Sequence, residues 1–171
     1  MLSRLQFSAF LLFAAMALLA TACGDDDNTS TAGPEEAEVS DQASGGAADT
    51  SVKPVIAVPE DDPPTELVIE DLVVGDGAEA TVGDTLDMDY VGVSFSDGSE
   101  FDASWNRGET FSFQLGAGRV ITGWDEGIEG MKAGGRRQLT IPPSMAYGER
   151  GQGPIGPNET LIFVVDLRSV N

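Results

Sequence analysis

From Thr65 to Asn171 apolar side chains alternate with polar ones in short runs divided by glycine, and this period of two constrains the fold most. Leu86, Met88 and Tyr90 share one face of a run, Phe111, Phe113 and Leu115 share a face in the next, and Leu139 and Ile141 form a third. The last run, Thr160-Leu-Ile-Phe-Val-Val-Asp-Leu167, sets Leu161, Phe163, Val165 and Leu167 on one side and Ile162 and Val164 on the other, as a strand buried on both faces would. Helical spacing occurs only where Trp124, Ile128 and Met131 fall at i, i+4 and i+7, with Gly134-Gly135 as the stop. A mostly antiparallel sheet must bury its apolar face, and a short helix laid across the concave side of a twisted sheet does so. The expected class is therefore α+β, a twisted antiparallel β-sheet wrapped around one short α-helix. Residues 65–171 are long enough for one modest core and read as one domain.

The N-terminus has another character. Arg4 precedes a nearly uninterrupted apolar run from Phe7 to Leu19, and small residues Ala20-Thr21-Ala22 follow before Cys23. This is the form of an export signal. The run falls short of the roughly 20 apolar residues that span a bilayer, which favours cleavage over a spanning anchor. The boundary Leu19-Ala-Thr-Ala-Cys23 resembles a bacterial lipobox. That resemblance implies a lipoprotein signal peptide over 1–22 and a lipidated Cys23 as the mature first residue. The protein would then be exported and held to the cell envelope by lipid alone. One acyl chain binds marginally, whereas two or three anchor durably. The competing reading of Cys23 is a free or buried thiol in an uncleaved leader, which is unusual in an exported protein.

Residues 23–64 are rich in Asp, Glu, Ser, Thr, Ala, Gly and Pro, with Lys53 as their only base. Such a segment buries too little apolar surface to offset its ordering entropy and reads as a disordered acidic tether. As a coil it would reach about 35 Å. Val55-Ile-Ala-Val58 is the one patch in it where local order or docking is expected.

The chain has no histidine and one cysteine. This excludes a Ser-His-Asp triad, a Cys-His pair, a His-ligated metal and a CxxC site. The 9 basic residues against 29 acidic ones argue against nucleic acid as a partner. The acidic runs Asp25–Asp27 and Glu60–Asp62 lack the spacing of a calcium loop. Gly151-x-Gly153-x-x-Gly156 spells a dinucleotide fingerprint, but Pro154 lies inside it and neither a buried strand before it nor a helix after it supplies the context. No cofactor and no metal are expected.

What remains is the stretch from Val120 to Met131 together with Ala146-Tyr147-Gly148, which sets apolar side chains and one phenol among glycines. Those residues suit a shallow apolar pocket, and such a pocket suits chemistry driven by desolvation and shape. Tyr90-Val-Gly92, Asp97-Gly98, Phe101-Asp-Ala-Ser104, Arg107-Gly108, Phe111-Ser-Phe113, Val120-Ile121, Gly123-Trp124, Gly127, Gly130-Met131, Gly134, Ala146-Tyr147-Gly148 and Leu161-Ile-Phe163 carry a resemblance in order along the domain. They resemble the FKBP-type peptidyl-prolyl cis/trans isomerases, and the first 64 residues lie outside that resemblance.

The resemblance implies Trp124 as the floor under a proline ring, with Tyr90, Phe101, Phe111, Val120, Ile121 and Phe163 around it. From periodicity alone each of these is an ordinary core residue. Tyr147 would donate to a substrate carbonyl, as would the Ile121 amide; the plainer reading of Tyr147 is a surface tyrosine. Asp102 would orient and polarise beside the pocket with Arg107 supporting it, where bare reading makes them a turn cap and a surface arginine. Gly151–Asn158 stands where the family has a bulkier flap and is one residue shorter, so the placement of Ile155 in the site stays open. The macrolide inhibitors of the family are a ligand class the resemblance brings, with affinity left open by the same loop.

The function expected on this basis is prolyl isomerisation assisting folding of exported, proline-containing clients by a monomer. The alternative is a proline-turn-binding or chaperone-like module with little turnover, which the reduced flap and acidic tether motivate.

Overall fold

The computed structural model describes residues 49–171. The segments expected to be a signal peptide, a lipidated Cys23 and a tether up to residue 48 lie outside the described residues. Six strands and one helix follow in the order β1 (Val68–Val73), β2 (Thr85–Ser94), β3 (Glu100–Ala103), β4 (Phe111–Gln114), α1 (Thr122–Gly127), β5 (Arg136–Ile141) and β6 (Leu161–Val170). The sheet order is β1-β5-β6-β2-β3, with β4 paired to the start of β2, and all pairings are antiparallel. Strand β6 sits in the middle, with Tyr90 opposite Val165 and Leu139 opposite Phe163.

The alternation sorts side chains as its period requires. Leu86, Met88, Leu139, Ile141, Leu161, Val165 and Leu167 face α1 and are inaccessible to solvent. Val91, Val93 and Ile162 face the other way and form a second cluster with Phe95 and Ala103. Strand β6 is thus buried on both faces, as its continuous apolar run predicts.

Helix α1 is shorter than its spacing predicts. It stops at Gly127, and Met131 reaches the core through a turn in which Gly130 has φ 77° and donates its N–H to the Ala80 carbonyl. The stop therefore precedes Gly134-Gly135. Glycines also let the helix lie close to β5: a Cβ at Gly123 would fall 2.4 Å from Ile141 Cγ2, and one at Gly127 would fall 2.8 Å from Leu139 Cδ2. Close approach therefore sets the depth of Trp124, which lies between the two.

Part of the acidic segment read as a tether is packed on the domain. Arg136 donates to the Val52 carbonyl at 2.8 Å, Arg168 to the Thr50 carbonyl at 2.7 Å, and Lys53 pairs with Glu100 at 2.8 Å. Ile56 and Val58 pack on the second cluster while Val55 stays 95% exposed. The back of a sheet buried on both faces needs a cover, and residues 50–58 supply one. Below them Arg136 and Asp166 form a fully buried ion pair, with Nε 2.6 Å from Oδ1.

Candidate active site

Between the N-terminal end of α1, the concave sheet face and the loop after Tyr147 lies a cleft of about 400 Å3. Trp124 lines it and is only 4% exposed, because the first turn of α1 turns the indole toward β2 and β6. Its ring meets Tyr90 and Phe163 edge-on, both at 5.2 Å, with Phe113 at 5.8 Å and Phe111 at 6.1 Å. Phe101 reaches Phe163 at 5.4 Å across Gly92, where a Cβ would fall 2.6 Å from one ring and 2.7 Å from the other. These contacts fix an aromatic surface whose rings hold one another in place.

Val120 and Ile121 line the cleft from the loop entering α1, and Ile155 lines it from the loop after Tyr147. Gln152 and Ile155 exchange backbone hydrogen bonds at 2.9 Å in both directions around a Gly153-Pro154 tip. Gly151, at φ 65°, closes this turn where a Cβ would fall 2.3 Å from the Ile155 carbonyl. The turn carries the Ile155 side chain inward to 7% exposure. The glycine spacing of Gly151–Gly156 thus serves a tight turn.

One wall is polar. The Tyr90 hydroxyl donates to Asp102 Oδ2 at 2.5 Å, and Arg107 donates to Asp102 Oδ1 at 2.6 Å and to the Tyr90 hydroxyl at 2.8 Å. Burial pushes the Asp102 carboxyl up, but the donations from Tyr90 and Arg107 and the charge of Arg107 outweigh it, leaving the carboxyl below its ordinary value. Burial, then the hydrogen bond to Asp102, raises Tyr90. Asp102 is thus ionised and held. Strand pairing of Gly92 with Asp102 sets this wall, and Ser104 ties it to β2 by accepting the Tyr90 N–H at 2.9 Å.

The Tyr147 phenol is half-buried and has no hydrogen-bond partner among the described residues; burial, then the charge of Asp102, raises it and keeps it protonated. The Ile121 N–H likewise has no backbone acceptor among them. The Trp124 indole N–H is buried without a partner among the described residues. Donors without acceptors therefore surround an apolar floor. Among the described residues that line the cleft, Asp102 is the one carboxylate, and Tyr90 and Arg107 engage it.

Ten of the eleven pocket residues expected from the sequence line this cleft; Arg107 stands behind Asp102 instead. Arg119, Gln152, Gly153 and Pro154 line it too and were not expected. Arg119 directly precedes Val120 and could have been found by adjacency. The other three depend on how the loop folds back, which carries no periodic pattern.

Chemically, the cleft offers an aromatic seat, unpartnered donors on Tyr147, Ile121 and Trp124, and a fixed carboxylate, with no serine, threonine or cysteine among the described residues that line it. Residues 77–168 match the family model described as FKBP-type peptidyl-prolyl cis-trans isomerase. The chain is 58% identical over 120 residues to an FK506-binding protein of Streptomyces anulatus, covering 69% of this chain and 97% of that one. It is 53% identical over 117 residues to a probable FK506-binding protein of Corynebacterium glutamicum, covering 68% and 98% respectively. Among solved structures, AtFKBP13 is similar with TM-score 0.59 and 40% identity, over 64% of this chain and 96% of that one. FkpA from Escherichia coli is similar with TM-score 0.57 and 44% identity, over 61% of this chain and 48% of that one.

Proposed function

The chain belongs to the FKBP-type peptidyl-prolyl cis-trans isomerases, and from that premise we propose that the Trp124 cleft is where the X-Pro bond turns. Amide resonance gives this bond a barrier of about 18–20 kcal/mol. In the twisted state the carbonyl is less polarised and the nitrogen more pyramidal, so a dry apolar seat favours it over the planar ground state. The proline ring rests on Trp124 with Tyr90, Phe111 and Phe163 around it. Tyr147 and the Ile121 N–H orient the carbonyls on either side. Asp102, fixed by Tyr90 and Arg107, polarises the site; it does not shuttle a proton, because amide rotation transfers none.

The observation that carries this reading is the pairing of a buried aromatic floor with a Tyr147 hydroxyl that has no partner among the described residues. Tyr147→Phe removes that donor alone. The expected result is a fall in kcat/KM of about two- to tenfold, the scale of one hydrogen bond, measured by NMR exchange on a proline peptide with unchanged Tm. Unchanged exchange would remove Tyr147 from the mechanism.

The relatives named FK506-binding proteins motivate the further proposal that this cleft takes FK506. Competition of the macrolide with peptide exchange tests it. We also propose, from the leader and lipobox alone, that the protein works outside the cytoplasm on exported clients and is anchored through Cys23. Cys23→Ala should then move it from the membrane to the soluble fraction; retention would point to an uncleaved leader.

A further inference from the structure

The cleft is lined by two charged residues, and they differ in state. Asp102 is satisfied by Tyr90 and Arg107. Arg119 is exposed and pairs with no carboxylate among the described residues, although acidic residues outnumber basic ones 29 to 9 in the chain. The segment that carries it is fixed. Asp125, in the first turn of α1, accepts the Gly116 N–H at 2.9 Å and the Gly118 N–H at 3.1 Å. Immediately after Arg119, Val120 and Ile121 form a wall of the cleft, and the Ile121 carbonyl accepts the Trp124 N–H at 2.9 Å. The root of Arg119 is therefore bound to the same helix that positions the floor.

A guanidinium rooted this way, beside the seat of the proline and without an internal acceptor, matches a carboxylate that arrives with the substrate. We propose that Arg119 makes the cleft select prolines flanked by an acidic residue. This rests on the reading of the cleft as the proline site. At physiological salt the net charge of −20 acts on a distant acidic client only through strong screening, with a Debye length of about 8 Å. Within the bound complex the Arg119 contact is short and acts locally. An exposed pair of this kind corresponds to about two- to fivefold in an equilibrium or rate ratio.

The test uses end-capped peptides, Ac-Ala-Xaa-Pro-Ala-NH2 and Ac-Ala-Ala-Pro-Xaa-NH2, with Glu, Gln or Lys at Xaa. Cis/trans exchange is read by NMR without a protease, and binding of the same peptides by the change in intrinsic tryptophan fluorescence, with Trp105→Phe as the background that isolates Trp124. The wild-type protein should favour Glu over Gln about two- to fivefold at one of the two positions, in 0.5 M NaCl less so. Arg119→Lys should keep the preference, Arg119→Gln should abolish it and Arg119→Glu should turn it toward Lys. A Glu/Gln ratio identical in the wild type and Arg119→Glu at both positions overturns the proposal. Loss of exchange for every peptide would strike the isomerase reading instead, and the binding ratio would still decide Arg119.

Discussion

Gly92 is the hinge of the aromatic cleft, and Gly92→Ala tests whether its rings are as tightly held as the geometry says. The added Cβ would lie 2.6 Å from Phe101 Cζ and 2.7 Å from Phe163 Cε1. Ordinary carbon contacts are about 3.5–4.0 Å, so each ring must retreat by about 1 Å. Phe163 has no free room, since it is buried and already meets Trp124 at 5.2 Å and Phe101 at 5.4 Å, so half-buried Phe101 must swing outward from the seat. Overpacking of this size costs about 1–3 kcal/mol, offset by about 0.4–1 kcal/mol because alanine has less freedom than glycine in the unfolded chain. A net loss of about 1–2 kcal/mol lowers Tm by about 4–8 °C in a domain of this size. Displacing two walls of the seat by about 1 Å should lower kcat/KM by about tenfold or more. Circular dichroism gives Tm, and peptide exchange gives kcat/KM. Gly156→Ala is the control, since a Cβ there meets nothing within 4 Å. Wild-type Tm and turnover in Gly92→Ala would refute the claim that these rings lock one another.

Three further outcomes are expected. Asp166→Asn removes the carboxylate charge from a fully buried ion pair in which Asp166 accepts twice from Arg136, and should destabilise the fold by about 3–5 kcal/mol, read by urea unfolding; a loss below 1 kcal/mol would contradict it. The Asp102 carboxyl lies below its usual value, so its contribution is fully present above the unfolded value of about 3.9 and fades as pH falls through the lower folded value. The Tm gap between wild type and Asp102→Asn should hold from pH 7 to 5 and narrow below about pH 4; a gap constant down to pH 3 would refute this. A chain starting at Thr65 loses the cover on Arg136 and Arg168 and should unfold at lower denaturant than one starting at Asp49; equal midpoints would make residues 50–58 energetically idle.

The last of these concerns what a sequence can and cannot express. Alternation within Leu161–Leu167 names a strand buried on both faces because a period of two is local, and the structure fills both faces accordingly. The same holds for Leu86, Met88 and Tyr90. The start of α1 was legible from the spacing around Trp124, but its end was not, because Gly130 leaves the helix to donate to Ala80, 50 residues earlier. The pocket's residue types were legible through the family they resemble, whereas the inward turn of Ile155 depends on a backbone exchange between Gln152 and Ile155 that has no sequence period.

The sequence by itself therefore determined the class of fold, the apolar inventory of the cleft and the absence of any histidine-dependent chemistry. Tertiary structure alone decided that residues 50–58 lie on the back of the sheet, that Arg136 and Asp166 meet in full burial, and that Arg119 stands at the cleft without a partner among the described residues. The reason is physical. Periodicity records which way neighbouring side chains point, while these three facts rest on contacts between residues far apart in the chain, or on their absence, and burial and charge pairing exist only once such residues have been brought together.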